Sequence, residues 1–168
     1  MLISKIRGLL SEQGLKLNIV LARPLIERAE KTFGHPLPDL LKTLCETVAN
    51  GGFGPAGGLL PLTEGRPDEK GRTSLGLWQI YSKEGSADPS WHWPDGLLPV
   101  CHWGCAIYSC VNCLDRKFTM VTFDPNQHSG KDSWDRCYFR DSRTFDEWMK
   151  DWVEGRDDEL MFGRESGQ

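Results

Sequence analysis

Three strand-like runs in the second half of the chain, separated by very short gaps, limit the possible folds more than any other feature. The runs cover residues 97–102, 105–112 and 118–123 and are rich in apolar, aromatic and β-branched residues, which is typical of strands. The gaps between them hold two and five residues, whereas a crossover between parallel strands needs about a dozen. The spacing therefore predicts an antiparallel meander, in which consecutive strands pair through tight turns.

A shorter run at residues 136–140 extends the predicted sheet, and the clearest helix of the chain follows it. Thr144 and Glu147 have the T-x-x-E spacing of a capping box, in which each side chain accepts a hydrogen bond from a free backbone N–H at the helix start. Apolar side chains then recur along one helix face, at Phe145, Trp148, Met149, Trp152 and Val153. We expect this helix to pack on the sheet through Trp148 and Trp152.

The first third of the chain has helical spacing. Apolar residues recur every three or four positions in three stretches, at residues 1–14, 24–34 and 38–50. We expect Asn50 and Gly51 to end the third helix, because both tolerate a left-handed backbone. Residues 74–82 also fit a helix face, although Gly76 disfavours that assignment. The order of elements predicts an α+β fold, with helices first and last and the meander between them.

Length and composition predict one soluble domain. The 168 residues fit a single domain, which we place at residues 1–155, followed by a polar C-terminal tail at 156–168. No run approaches the length of about 18 apolar residues that a membrane-spanning helix needs, and Lys5 and Arg7 lie where a signal peptide would be apolar. We therefore expect a cytoplasmic protein with no membrane partner.

The charge balance argues against nucleic acid as a direct partner. The chain has 24 acidic and 20 basic residues, a net charge of −4, whereas nucleic-acid-binding domains are usually basic. The acidic surplus is concentrated in residues 114–168. Such a surface suits a basic protein partner, although solvated charge that keeps the chain soluble explains the surplus as well.

Four cysteines and a histidine are crowded into thirteen positions, namely Cys101, His102, Cys105, Cys110 and Cys113. Zinc sites usually join two ligand pairs through about a dozen or more residues, but here only four residues separate the pairs. In a strand, Cys110 and Cys113 would also point to opposite faces. The pattern therefore favours free thiols in a sheet core and no metal. A zinc-stabilised structural or nucleic-acid-binding domain remains the alternative.

The residues able to do chemistry do not form a recognisable active site. No acidic or nucleophilic neighbour stands at a catalytic spacing from any of the four histidines, His35, His92, His102 and His128. The glycine-rich stretch at 50–58 lacks the GK[ST] ending of a phosphate-binding loop and follows a helix rather than a strand. We therefore predict that the chain is not an enzyme and uses no cofactor.

The best candidate for a partner-binding site is the turn-rich stretch DPSWHWPDG at residues 88–96. Exposed tryptophans are frequent anchors of protein interfaces, and carboxylates steer a basic partner. The predicted site comprises Asp88, Trp91, His92, Trp93 and Asp95. Two alternatives stay open: both rings fold under the loop and cover the sheet edge, or the partner binds the acidic C-terminal third around residues 157–159.

Several motifs in fixed order give the chain a family resemblance. They are HPLPDLLKTLCETVANGGFG, LLPVCHWGCAIYSCVNC, FTMVTFDPN and the late helix TFDEWMKDWVEG. In this order and spacing the chain resembles the SUKH superfamily, which includes fungal cell-wall synthesis regulators and bacterial immunity proteins, over about residues 20–155. The resemblance implies architectural roles for the positions Pro38, Asn50, Gly51, Gly52 and Asp124, and it makes residues 1–16 an extra N-terminal helix.

The resemblance also carries expectations about fold and function. It implies a curved antiparallel meander sheet flanked by N-terminal helices and a C-terminal helix, with no catalytic activity. It further implies a module that neutralises a cognate bacterial toxin domain by stoichiometric binding. With the acidic surplus, we expect the partner to be a basic toxin domain of the nuclease or deaminase type.

Overall fold

Among the described residues, four antiparallel strands form one sheet in the order β1-β2-β3-β4. A computed structural model describes residues 1–64, 72–84, 87–157 and 160–161 of the chain. The strands are β1 (Leu97–Gly104), β2 (Ile107–Asn112), β3 (Thr119–Phe123) and β4 (Tyr138–Thr144). Each strand pairs with the next one along the chain. The predicted antiparallel meander is confirmed.

Two strands, β2 and β4, begin two residues later than predicted, and in both cases a local turn explains the difference. Cys105 was expected to begin the second strand, but Cys105 and Ala106 form the tight two-residue turn between β1 and β2 and both have positive φ angles. The last strand begins at Tyr138 rather than at residue 136. The residues before it, Trp134–Cys137, form a 3₁₀ turn.

Five α-helices accompany the sheet in the part of the chain that the structure describes. They are α1 (Leu2–Gln13), α2 (Arg23–Phe33), α3 (Asp39–Thr47), α4 (Ser74–Gln79) and α5 (Phe145–Val153). The capping box of α5 is confirmed, because Glu147 N–H donates to Thr144 Oγ1 at 3.2 Å and Thr144 N–H donates to Glu147 Oε2 at 2.9 Å. The uncertain stretch around Gly76 is helical and continues as a π-helical turn at Ile80–Glu84.

One face of the sheet packs against α1, α2, α3 and α5. Leu98, Val111 and Met120 point from the strands into this layer, where they meet buried side chains of the four helices. Trp148 of α5 is fully buried and its Nε1 donates to the carbonyl oxygen of Leu160 at 3.0 Å. Trp152 is also buried. The prediction that the last helix docks on the sheet through these two tryptophans is confirmed, and the fold is α+β.

The opposite face of the same sheet carries a second, smaller core. Tyr108, Cys110, Val121 and Phe123 point to this face, because every second residue of a strand does. The covering layer comes from α4, from the π-helical turn and from residues 87–96, which we call the 87–96 loop. This second layer holds the predicted partner-binding residues in place.

Asn50 is an architectural residue, but the expectation that it ends α3 is wrong. The helix ends at Thr47, and Asn50 does not have a positive φ angle. Its buried side chain instead accepts a hydrogen bond from Leu62 N–H at 2.8 Å and donates to two further carbonyl groups of the following segment. The next residue, Gly51, has a φ of 72°, and a Cβ there would lie 2.6 Å from the carbonyl oxygen of Leu59. Only glycine fits that approach.

Candidate functional site

The 87–96 loop lies across the second face of the sheet and is held there by Trp93. Only 9% of this residue is exposed. Its ring stacks on Tyr81 at a centroid distance of 4.8 Å, and its Nε1 donates to the carbonyl oxygen of Leu97 at 2.9 Å. The expectation that Trp93 is a surface anchor is therefore wrong. The ring folds under the loop because the apolar side chains of the sheet face would otherwise contact water.

Trp91 is half-buried and belongs to the same aromatic layer. Its Nε1 donates to the carbonyl oxygen of Tyr81 at 2.9 Å, and its ring meets the edge of Trp134 at 4.7 Å. The residue as a whole remains partly accessible to solvent.

Asp88 fastens the loop to the segment before β4. Its Oδ1 accepts hydrogen bonds from the hydroxyl and the backbone N–H of Ser90, and its Oδ2 accepts one from Trp134 Nε1 at 3.0 Å. These hydrogen bonds, led by that from the Ser90 hydroxyl, hold the pKa of Asp88 below its usual range. The ring of His128 stacks on Trp134 at a centroid distance of 3.9 Å, and its Nε2 lies 3.7 Å from Asp88 Oδ2. Asp88 therefore stabilises the loop besides carrying charge.

His92 and Asp95 are the exposed residues of the predicted site. His92 Nε2 lies 3.9 Å from Asp135 Oδ1, and the backbone carbonyl of His92 accepts a hydrogen bond from the hydroxyl of Tyr138. Asp95 Oδ1 lies 3.1 Å from Nε2 of His35, which precedes α3 and is 60 residues away in sequence. The structure therefore brings Asp88, Trp91 and Trp93 together in one layer and places Asp95 at its border.

A groove of about 400 Å³ lies beside the loop, where the aromatic layer ends and the second face of the sheet is open. Its lining comes from the loop, all four strands and their connections: Pro94, Asp95, Leu97, Asn112, Leu114, Val121, Asp135, Tyr138 and Arg140. Of these residues, only Asp95 was predicted from the sequence to belong to the site. The alternation of side chains along a strand predicts which face of the sheet each residue occupies. It does not predict which part of that face a loop distant in sequence will cover.

The cysteines lie on different sides of the sheet. Cys101 and Cys113 belong to the core on the helix-covered face, Cys110 belongs to the core on the other face, and Cys105 is exposed in the turn. Burial raises the pKa of the Cys101 and Cys113 thiols to about 12. Within the described ranges, no three residues among His, Cys, Asp and Glu are grouped so that they could hold a metal ion. This arrangement does not favour the zinc-stabilised alternative.

The acidic C-terminal stretch around residues 157–159, the alternative partner-binding surface, is only partly described. Asp157 is exposed, whereas Asp158 and Glu159 lie outside the described residues. The neighbouring Leu160 lies in the stretch that was expected to be a polar tail, but it is 1% exposed and belongs to the helix-covered core. In the part of the chain that the structure describes, no helix is long and apolar enough to cross a membrane.

Comparison with known proteins identifies the family of the chain. Residues 24–151 match the SMI1 / KNR4 family (SUKH-1). The match runs from α2 into α5 and includes the 87–96 loop and every residue that lines the groove, whereas α1 precedes it. Comparison with curated proteins gives no match. Since the match covers more than half of the 168 residues, the chain belongs to the SMI1 / KNR4 family, SUKH-1.

Proposed function

We propose that the chain is a non-catalytic protein-binding module that neutralises a cognate bacterial toxin domain by stoichiometric binding, as an immunity protein. Membership of the SUKH-1 family fits a non-catalytic immunity or regulatory module. The observation that carries the proposal is the 87–96 loop, whose buried aromatic side chains hold a charged rim rigidly beside an open groove. Such a surface binds a protein with little loss of conformational entropy.

The proposed docking surface consists of the solvent-facing atoms of Asp88, Trp91, His92, Asp95 and Asp135. Trp93 supports this surface from below rather than contacting the partner, because its ring is buried. The carboxylates of Asp95 and Asp135 are the most exposed charges of the surface, with 77% and 76% of their side chains accessible. Exposed carboxylates accelerate association with a basic partner more than they strengthen the complex.

A basic toxin domain of the nuclease or deaminase type fits this surface. Enzymes that act on nucleic acid carry basic surfaces, because they neutralise phosphate charges. An acidic protein that covers such a surface competes with the substrate through the same electrostatic attraction. We therefore expect inhibition by occupation of the toxin surface, with one immunity protein bound to each toxin domain.

The test is capture of the partner from the native host, followed by neutralisation. The tagged full chain should retain one protein at equimolar ratio, and co-expression of the chain should remove the growth arrest that this protein causes. Titration of the purified toxin domain should reach full inhibition at one equivalent. Capture of nucleic acid or small molecules without a protein, or full inhibition at far less than one equivalent, would contradict stoichiometric neutralisation.

A further inference from the structure

We propose that His35 and His92 make the docking of a basic partner depend on pH, because each imidazole, once protonated, neutralises one exposed carboxylate of the docking surface. The carboxylates are Asp95, beside His35, and Asp135, beside His92. The inference rests on the proposed function, because it describes how the same surface attracts its partner. It follows from the histidine contacts of that surface, the exposure of the two carboxylates and the hydrogen bonds of a third histidine.

Each carboxylate of the docking surface has an imidazole within 4 Å. The Nε2 atoms of the three histidines lie 3.1, 3.9 and 3.7 Å from the nearest carboxylate oxygen in the pairs His35 with Asp95, His92 with Asp135, and His128 with Asp88. The partners of each pair come from different segments of the chain, so the fold brings them together. Three of the four histidines of the chain therefore accompany the three carboxylates of one surface.

The charge of such a pair depends on the imidazole. A neutral imidazole leaves the carboxylate with its full charge, whereas a protonated one cancels it. Histidine side chains change charge between about pH 5 and pH 8. Carboxyl groups lose their protons near about pH 4, so they are ionised throughout this interval. As the pH falls through it, the two pairs with Asp95 and Asp135 together lose two units of negative charge.

Asp95 and Asp135 are the carboxylates whose neutralisation a partner would feel most. Their side chains are 77% and 76% accessible, so their charges act directly on the surrounding solvent. The side chains of His35 and His92 are themselves 23% and 55% accessible and can exchange protons with water. Exposed charges of this kind set the rate at which a charged partner associates.

The charged groups beside His35 on the helices keep their charges in this interval. Phe33 of α2 makes a T-shaped contact with the imidazole at a centroid distance of 5.3 Å and carries no charge. On the adjoining helices, Lys42 Nζ of α3 lies 3.6 Å from Glu30 Oε1 of α2. Ammonium and carboxylate groups are both ionised between about pH 5 and pH 8. The charge that changes beside Asp95 is therefore that of His35.

The groups beside His92 also keep their charge states. The ring of Tyr138 lies 6.1 Å from the imidazole, and burial raises the pKa of its hydroxyl above the usual value, so the hydroxyl stays neutral. Arg140 lines the same groove as Asp95 and Asp135, and a guanidinium stays protonated in this interval. The charge that changes beside Asp135 is therefore that of His92.

His128 differs from the other two histidines because its ring fits the neutral form. Its side chain is only 10% exposed. Gly130 N–H donates to Nδ1 at 3.3 Å, and Nε2 lies 3.0 Å from the carbonyl oxygen of Asp132. A ring with its single proton on Nε2 satisfies both contacts, whereas a second proton on Nδ1 would face the Gly130 N–H. The pH dependence therefore belongs to His35 and His92, and Asp88 keeps its charge.

The test measures the charge around each carboxylate without a partner. A cationic nitroxide, amino-TEMPO, and an anionic one, carboxy-PROXYL, would each be added to the ¹⁵N-labelled full chain at low salt, and the broadening of amide signals would be compared. A unit charge about 8 Å away changes the local concentration of a monovalent ion about twofold. The cation-to-anion ratio at the amides of Asp95 and Asp135 should therefore fall about fourfold between about pH 7.5 and pH 5.5.

Each histidine supplies the matched control for the other. The chain enters β1 just after Asp95 and β4 just after Asp135, and these two strands run in opposite directions, so the two pairs lie at opposite ends of the sheet. His35→Gln should abolish the change at Asp95 and leave that at Asp135, and His92→Gln should do the reverse. The amide of Glu154 should show no change, because its carboxylate contacts a guanidinium, that of Arg156.

Two results would overturn the proposal and leave the proposed function standing. They are a ratio at Asp95 and Asp135 that does not change with pH, and a change that persists in the variant carrying both His35→Gln and His92→Gln. With the purified toxin domain as the probe, the wild type should associate about fourfold more slowly than this variant at about pH 5.5 and equally fast at about pH 7.5. Equal rates at both pH values would also overturn the proposal.

Failure to capture any protein partner would reject the proposed function and with it the docking step. The nitroxide ratios would still decide whether the charge of the surface depends on His35 and His92, because they are measured on the chain alone.

Discussion

Trp91 and Trp93 are close neighbours in the 87–96 loop but differ in exposure and in their contacts. Both rings lie against Phe123, at centroid distances of 5.9 and 5.1 Å. Trp93 is buried and donates a hydrogen bond to Leu97 at the start of β1, whereas Trp91 is only half-buried. The conformation of the loop therefore depends on Trp93, whereas Trp91 and the charged residues belong to the proposed docking surface.

We predict that Trp93→Ala lowers the free energy of unfolding by about 3 to 5 kcal/mol, because it removes a buried aromatic ring and leaves a cavity. Urea denaturation of the purified chain would measure the change. His92→Ala is the matched control, since the neighbouring side chain is exposed and its backbone carbonyl stays in place. That variant should change stability by about 0.5 kcal/mol or less. Equal effects of the two substitutions would show that the ring does not belong to the core.

Strand β4 and helix α5 are joined by a buried network of charges. Arg143 of β4 donates from Nε to Asp141 Oδ1 at 3.0 Å and from Nη1 to Asp151 Oδ2 of α5 at 3.1 Å. Arg156, which follows the helix, donates from Nε to Asp151 Oδ1 at 3.0 Å. The side chains of Arg143, Asp141 and Asp151 are each at most 10% exposed. Removing one partner would leave the others buried and uncompensated, which is strongly destabilising.

This network makes stability depend on pH. Burial alone would raise the pKa of Asp151, but hydrogen bonds from Arg156 and Arg143 outweigh it, so the pKa lies below its usual value. A carboxyl with a lowered pKa in the folded state stabilises the fold above its unfolded pKa of about 3.9, and this contribution is lost as the pH falls through the folded pKa. Asp151 therefore stabilises the chain at neutral pH and loses that contribution below about pH 4.

We predict that Asp151→Asn lowers stability at pH 7 and flattens its dependence on pH. The free energy of unfolding of the wild type should fall between about pH 5 and pH 2, and the variant should lose less over the same interval. Urea denaturation at each pH would measure both. Glu12→Gln, a change at an exposed residue for which the structure shows no ion pair within its described part, should leave the pH profile unchanged. Parallel profiles of wild type and Asp151→Asn would contradict a stabilising ionised Asp151.

The chain beyond Gly155 contributes to the fold. Leu160 is buried and its carbonyl accepts a hydrogen bond from Trp148 Nε1, and the hydroxyl of Thr122 in β3 donates to the carbonyl of Met161. These contacts contradict the prediction that residues 156–168 form only a polar tail. We therefore propose that the folded unit continues at least to Met161.

We predict that truncation after Arg156, which keeps the contact of Arg156 with Asp151, lowers the free energy of unfolding by about 3 kcal/mol. The estimate combines the burial of one leucine side chain, about 1.5 to 3 kcal/mol, with the buried indole N–H that loses its acceptor. Trp148→Phe in the full chain is the comparison, since it removes the indole N–H but leaves Leu160 in place. Thermal or urea denaturation would rank the two. A truncated chain as stable as the full one would show that the segment after α5 is dispensable.

We predict that one thiol of the native chain reacts rapidly and that the chain holds no stoichiometric metal. Cys105 is exposed, whereas the other five cysteines are buried in the two cores. Alkylation followed by mass spectrometry should show one modified thiol in the native chain, at Cys105, and six after unfolding. A chelator should not change the melting temperature. Protection of four thiols until a chelator is added would contradict this prediction and favour zinc.

Local sequence patterns were sufficient for much of the architecture. The short gaps between the strand runs predicted the meander, because a chain of two to five residues can only reverse direction. The capping box and the apolar spacing that follows it predicted α5, since both depend on contacts within two helical turns. The order of motifs, with no single diagnostic residue, pointed to the SUKH superfamily. Boundaries such as that of β4 were displaced by local turns that these patterns do not encode.

The candidate site depended on contacts between segments that are far apart in the chain. Sequence patterns marked the 87–96 loop as unusual and named Asp95, but they left open whether Trp93 faces solvent or the sheet. The ring is buried because α4 and the loop together cover part of an apolar sheet face, and the groove exists because they leave the rest open. Hydrophobic burial is non-directional and depends on which surfaces meet in space. For that reason the spacing of residues along the chain established the elements, whereas the covered face, the groove and the approach of His35 to Asp95 came from their packing.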